Sequence, residues 1–291
     1  MGKNLYANSP VAHAMFRQAD AVLGAPLTKL CFEGPEDELK QTKNTQPAIF
    51  LHSTILTKLI ESHDVAMAAG HSLGEYTALV FAGAMSFEDG LRLVRLRGEL
   101  MQKAGEEQQG TMAAIIGLEP GIVGEVCCKA YPEGVVQCAN YNSPGQIVIS
   151  GSVSGVRKAM ELAKERGARL TKELVVSGAF HSPLMQSARE GLKNALALTT
   201  IRDGMIPVYA NVTAKPVRKA EEIRTLLEEQ LTSAVRWEQS VRNMINDGAR
   251  ALIEVGPGNV LQGLMKRIDA GVDVRGVDTY ADLERFATVQ S

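Results

Sequence analysis

Gly70-His71-Ser72-Leu73-Gly74 is the stretch that most limits how this chain can fold. It fits the Gly-x-Ser-x-Gly nucleophile elbow, which needs a strand before it and a helix after it. Both are legible. Asp64-Val65-Ala66-Met67-Ala68-Ala69 reads as a short buried strand, and Glu75 to Ala82 as the first turns of a helix. The flanking glycines let the backbone turn sharply beside the serine. A helix start directly after it offers free N–H groups and a positive dipole end to a developing oxyanion. The alternative is an ordinary strand-to-helix turn that happens to carry a serine.

The rest of the chain sorts into two textures. Ser9 to Leu23 and Gln46 to Ile60 show apolar residues at helical spacing, with Asn44-Thr45 as the cap and Pro47 in the first turn of the second. Glu88 to Ala104 is a further helix carrying Arg92, Arg95 and Arg97. A polar linker, Gly105 to Gly110, then introduces strand 111–118, helix 121–130, strands 135–139 and 146–150 joined by a turn at 140–145, helix 154–166 and strand 169–176. That β-α-β-β-α-β order is the order of a ferredoxin-like unit. Helix 183–198, strand 206–211, helices 220–229 and 237–247, strand 251–255 and a last helix restore the first texture. The expectation is an α/β fold: a hydrolase-like parallel sheet flanked by helices, made by 1–106 and 177–291, with a ferredoxin-like subdomain at 107–176 inserted.

Charge and cysteines narrow the function. The chain has 31 basic and 33 acidic residues, a net charge of −2, which gives no reason to expect nucleic acid or an anionic membrane as partner. No apolar run is long enough to span a bilayer, and Met1 to Tyr6 lacks a signal-peptide layout. A cytoplasmic enzyme is expected. Cys31, Cys127, Cys128 and Cys138 form no Cys-x-x-Cys pair, so reduced thiols are expected rather than zinc ligands. Gly256-Pro257-Gly258 lacks the features of a phosphate loop and reads as a structural turn. Met112, Met160, Met185, Met265 and Trp237 read as packing residues.

A serine hydroxyl needs a base. Of the five histidines, His13, His52 and His63 lie on or beside helices, and the side chain of His71 should diverge from that of Ser72 across the turn. His181 lies in a loop between a strand and a helix, where α/β proteins build sites. It is the candidate base, against a loop histidine satisfied by local hydrogen bonds. No carboxylate between serine and histidine has a distinguishing loop context. A Ser–His dyad with its imidazole oriented by a backbone carbonyl therefore fits better than a triad. Arg97, read with Arg92 and Arg95, is expected to face water.

Gly70 to Tyr76, Arg95-Leu96-Arg97-Gly98, Asn140 to Gly151, Gly178-Ala179-Phe180-His181-Ser182 and Glu254-Val255-Gly256-Pro257-Gly258 together resemble the malonyl-CoA:acyl carrier protein transacylases, over nearly the whole chain. The resemblance implies Ser72 as the nucleophile that carries malonyl and His181 as general base, then acid. Arg97 would grip the free carboxylate of malonyl, reversing its water-facing reading. The Leu73 N–H would serve the oxyanion, and Gln230 would lie in the loop whose backbone carbonyl orients the histidine. Asn142 would lie near the site. Phe180, in the malonyl-selective Ala-Phe-His form, and His71 complete the expected substrate-binding set. Acetyl lacks the carboxylate, and leaving a buried charge alone costs about 3–5 kcal/mol. The resemblance implies no cofactor beyond the substrates, a coenzyme A thioester and acyl carrier protein. A serine esterase or thioesterase, and a carrier-binding homologue without activity, are the alternatives. Family members also carry a Gly-Gln-Gly-Ser-Gln strand and loop ahead of the Met1 to Tyr6 segment, which gives a second oxyanion donor. A chain without it is expected to lose about 100- to 1,000-fold in rate.

Overall fold

The computed structural model describes residues 1–60 and 65–290, with 288–290 as backbone only. His63, weighed as a base, and Asp64, expected to open the first strand, lie outside the described residues. The chain begins with α1 (Lys3–Asn8), α2 (Pro10–Leu23), α3 (Leu27–Glu33), α4 (Glu36–Leu39) and α5 (Thr42–Leu59). The elbow follows as β1 (Ala68–Ala69) and α6 (Gly74–Phe81), and then α7 (Phe87–Glu107). Next come β2 (Gly110–Ile116), α8 (Pro120–Ala130), β3 (Val136–Ser143), β4 (Gln146–Ser152), α9 (Val153–Glu165) and β5 (Leu170–Glu173). The chain continues through α10 (Gln186–Leu198), β6 (Val208–Tyr209), β7 (Pro216–Val217), α11 (Ala220–Gln230) and α12 (Trp237–Asn246). It ends with β8 (Ala251–Val255), α13 (Val260–Ile268), β9 (Asp273–Val277) and α14 (Tyr280–Gln290).

The α/β class holds, but the sheet is not one parallel array. β1 pairs in parallel with β6, whose other edge takes β7 antiparallel. β8 pairs in parallel with β9 in a separate two-stranded sheet. The antiparallel pairing arises because Ala210 N–H bonds back to the Lys215 carbonyl, turning β6 straight into β7. β2 to β5 form an antiparallel sheet in the order β3-β4-β2-β5, which is the order of a split β-α-β unit. α8 and α9 pack on it around a hydrophobic cluster that includes Ile115, Val123, Ile147, Ile149 and Val156.

Several boundaries differ from the sequence reading. α7 runs through Gly105 to Glu107, so much of the expected linker is helix. β3 continues to Ser143 with two register shifts, and only Pro144 and Gly145 are left to turn. This extension hooks onto the later chain: Val235 N–H bonds to Ala139 O and Tyr141 N–H to Val235 O. α5 starts at Thr42, with Asn44 and Thr45 inside it. Their side chains bond back to the Glu38 and Leu39 carbonyls instead of capping. Pro47 is then interior and cannot donate to the carbonyl of Lys43 four residues back. Arg95 of α7 donates to that carbonyl at 3.2 Å and to Asn44 Oδ1 at 2.8 Å.

α5 and α7 are pressed together, and this contact carries two site residues, Gln46 and Arg97. A Cβ on Gly98 would lie 2.8 Å from both the Lys43 Cα and the Thr42 carbonyl oxygen. In an open helix, glycine to alanine stabilises by about 1 kcal/mol. Here the helices must move apart. Gly98→Ala should destabilise the protein by about 1–3 kcal/mol, read as a lowered melting temperature. A raised melting temperature would contradict this packing.

Candidate active site

The turn before α6 is strained in the way an elbow requires. Ser72 has φ 50°, a left-handed conformation that costs a non-glycine residue energy. The close approach falls on Gly70, where a Cβ would lie 1.9 Å from the Gly74 carbonyl carbon. A side chain at the other elbow glycine, Gly74, would meet nothing within 4 Å. Asn211, just beyond β6, splints the turn. Its Oδ1 accepts the Ser72 N–H at 2.6 Å, and its Nδ2 donates to the Gly70 carbonyl at 2.7 Å.

The structure brings Ser72, His181, Arg97 and Gln230 together. Ser72 Oγ lies 2.8 Å from His181 Nε2. On the far side of the ring, Nδ1 lies 2.8 Å from the Gln230 backbone carbonyl. A carbonyl can only accept, so Nδ1 carries the proton and Nε2 is left to accept the serine proton. His181 is 3% exposed and also has positive φ, 57°. Burial first, then the Arg97 charge, push it down to about 3, partly opposed by the hydrogen bond to Gln230. It is a neutral base across the ordinary pH range. Its own carbonyl accepts from Gln137 Nε2 at 2.8 Å, which ties the loop to β3.

Arg97 does not face water. It is 1% exposed, whereas Arg92 lies at the surface in an ion pair with Asp89, and Arg95 lies against α5 and pairs with Glu99. Its Nη2 donates to Ser72 Oγ and to Gln230 Oε1, both at 2.9 Å, and its Nη1 to Gln46 Oε1 at 2.6 Å. The guanidinium carbon sits 5.7 Å from the Tyr76 ring centroid. All its hydrogen-bond acceptors are neutral. Beyond them, Glu75 is 2% exposed and accepts from Gln230 Nε2 at 2.8 Å and from Asn211 N–H at 3.0 Å. Burial holds the Glu75 carboxyl up at about 7, against the pull of those two bonds and of Arg97.

The remaining expected residues take outer positions. His71 turns away from Ser72, and its Nε2 lies 2.9 Å from Asn142 Oδ1. Its ring meets that of Trp237, 5.7 Å between centroids. Asn142 is thus brought to the site through His71. Phe180 is half-buried beside Met112, Ala139 and Val148. Leu73 caps α6, with its N–H at the helix start. His52 is buried against Asp278, and His13 packs on Tyr6. Met112, Met185, Met265 and Trp237 are buried, and Met160 packs against the α8–α9 cluster. Among the described residues, no cluster of three or more His, Cys, Asp or Glu could hold a metal ion. None of their helices is long and apolar enough to cross a membrane.

Four site residues escaped the sequence reading: Gln46, Glu75, Gln137 and Asn211. Each had a signal. Glu75 and Gln46 are polar residues at the head of strongly apolar helical runs. Asn211 ends the strand expected at 206–211, at the C-terminal edge where α/β folds place ligands.

Known proteins resemble this chain in sequence and in fold. The malonyl CoA-acyl carrier protein transacylase of Bacillus subtilis (strain 168) is 47% identical over 272 residues, covering 92% of this chain and 86% of that protein. The Staphylococcus aureus (strain MRSA252) protein of the same name is 36% identical over 285 residues, 98% of this chain and 92% of its own. The solved malonyl CoA-acyl carrier protein transacylase of Coxiella burnetii superposes with a TM-score of 0.95 at 37% identity, covering 99% of this chain and 92% of that one. A malonyl-transacylase solved in complex with a type II PKS acyl-carrier protein gives a TM-score of 0.96 at 38% identity, with coverage of 99% and 94%. Residues 1–281 match the family described as the acyl transferase domain, and the chain belongs to that family.

Proposed function

We propose that this enzyme transfers malonyl from malonyl-CoA to the phosphopantetheine thiol of acyl carrier protein through a malonyl-serine, supplying units for fatty acid synthesis. The observation that carries the reading is one hydroxyl, Ser72 Oγ, held between a neutral imidazole at 2.8 Å and a buried guanidinium at 2.9 Å. The first activates a nucleophile. The second gives the acyl group's carboxylate a partner.

In the first half-reaction Ser72 Oγ attacks the thioester carbonyl carbon while His181 Nε2 takes its proton. The oxyanion forms at the start of α6, served by the Leu73 N–H. Collapse breaks the carbon–sulfur bond, and coenzyme A leaves with the proton from Nε2. In the second half the carrier thiol gives its proton to Nε2 and attacks the ester carbonyl, and Ser72 Oγ departs and recovers the proton. Gln230 serves both halves, orienting His181 by its backbone and Arg97 by its side chain. The reaction needs no cofactor beyond the two thiol partners.

The esterase reading would want an Asp or Glu on His181 Nδ1, and a backbone carbonyl occupies that place. The division into 1–106 with 177–291 and 107–176 is supported by the second part's own hydrophobic cluster, around Ile115, Val123, Ile147, Ile149 and Val156. Gln137 and Asn142, from the second part, reach across to His181 and His71 of the first. A cytoplasmic setting suits the free thiols of Cys31, Cys127, Cys128 and Cys138.

Incubation with malonyl-CoA should add one malonyl mass to the peptide carrying Ser72, and carrier protein should remove it. A folded protein that stays unlabelled would end the mechanism. Arg97→Ala should lower kcat/KM for malonyl-CoA about 100- to 1,000-fold more than for acetyl-CoA, the scale of one uncompensated buried charge. Equal losses would refute the carboxylate clamp.

The depressed His181 also sets a pH signature. An ordinary unfolded histidine binds a proton near 6.5, while this one does so only near 3. Its contribution to stability is therefore fully present above about 6.5 and is lost as pH falls toward the folded value. Labelling of Ser72 by a small sulfonyl fluoride should stay level from about pH 7.5 to about pH 5. A fall centred on the ordinary imidazole range would mean that His181 is not held neutral.

A further inference from the structure

Arg97 is a buried cation whose hydrogen-bond acceptors are all neutral, yet a buried carboxylate stands one side chain away. The Gln230 carboxamide separates the two. Its Oε1 accepts from Arg97 Nη2 at 2.9 Å, and its Nε2 donates to Glu75 Oε2 at 2.8 Å. The same Glu75 oxygen accepts the Asn211 backbone N–H at 3.0 Å. Asn211 in turn holds the Ser72 N–H. The carboxylate is thus held by Gln230 and Asn211, with the amide between it and the guanidinium.

We propose that Glu75 makes the binding of a carboxylated acyl group depend on pH: it is the resident counter-charge of Arg97, coupled through the Gln230 amide, and it takes up a proton when the acyl carboxylate binds Arg97. The inference rests on the reading of Arg97 as the malonyl clamp. A direct Glu75–Arg97 pair would consume the charge that the substrate needs. No counter-charge at all would leave a bare buried cation. An amide spacer avoids both. When a second carboxylate enters, two anions share one guanidinium in a site of low polarity, and the protein's own carboxylate is the one free to neutralise.

The charged and titratable groups around Glu75 agree with this assignment. Arg97 faces it from α7 and favours its ionised form. Tyr76, its neighbour on α6, is pushed up to about 12 by burial and stays neutral. His181, across Gln230, is held neutral as well. Gln230 from the end of α11 and Asn211 beyond β6 add only dipoles. Glu75 is therefore the acidic group in this network poised near neutrality.

The test is Glu75→Gln, which keeps an oxygen to accept from Asn211 and Gln230. In the wild type, KM for malonyl-CoA should rise several-fold between about pH 6 and about pH 9, because binding then costs a proton uptake, while KM for acetyl-CoA should not. Acetyl-CoA carries the same coenzyme A and controls for its ionisation. In Glu75→Gln the malonyl-CoA KM should be several-fold lower at the alkaline end and level with pH, with kcat changed less than KM. Equal shifts for both thioesters, or a pH dependence that survives the substitution, would overturn the proposal. A second measurement does not depend on how that variant folds. Calorimetric titration of Ser72→Ala with malonyl-CoA, in two buffers of different ionisation enthalpy near pH 7.5, should show net proton uptake that acetyl-CoA lacks. Equal proton counts would also overturn it. Malonyl preference retained by Arg97→Ala would instead remove the clamp on which the inference stands.

Discussion

The buried guanidinium of Arg97 is the interaction on which the rest of the site depends. It draws Gln46 from α5, Gln230 from the end of α11 and Ser72 from the elbow onto one cation. A desolvated charge tolerates little disorder among its acceptors, because each lost partner leaves a donor buried without compensation. The guanidinium therefore does structural work even before it meets substrate. The pressed contact at Gly98 holds α5 close to α7, where Gln46 reaches the guanidinium. The same charge helps keep His181 unprotonated, so the group that selects the acyl chain also prepares the base.

Around this centre the backbone is held away from its preferred conformations. Ser72 and His181 both sit at positive φ, and each is fixed by side chains from distant parts of the sequence. Asn211 clamps the elbow at the Gly70 carbonyl and the Ser72 N–H, and Gln137 holds the carbonyl of His181. Strain of this kind persists only where the surroundings over-determine it. Here it fixes the hydroxyl and the imidazole 2.8 Å apart. The half-reactions can then proceed with little movement of protein groups.

How much of this could be read from residues follows the range of each interaction. The elbow, the helix at 9–23 and the β-α-β-β-α-β order are local patterns, and motif and periodicity show them. His181 could be singled out by its loop but not distinguished from a satisfied bystander, since its partners lie 49 and 109 residues away. Periodicity alone turns Arg97 toward water, because helix patterns assume that charge seeks solvent. Only the resemblance to a family reversed that reading. The Asn44–Thr45 cap failed because α5 gains an extra turn from contacts to α4 and α7. The turn at 140–145 failed because bulges and the Val235 segment extend β3. Gln137 and Glu75 carry no local signature beyond being polar where their neighbours are apolar, and Asn211 adds only its place at the end of the expected strand.

The central claim is that one buried cation both organises this site and receives the acyl carboxylate. A crystal structure of Ser72→Ala with malonyl-CoA bound tests it most directly. The account predicts the malonyl carboxylate within hydrogen-bond reach of Arg97, its thioester carbon beside the position of the missing hydroxyl and its carbonyl oxygen toward the Leu73 N–H. A carboxylate turned out to solvent, with Arg97 still bound only to Gln46 and Gln230, would contradict it.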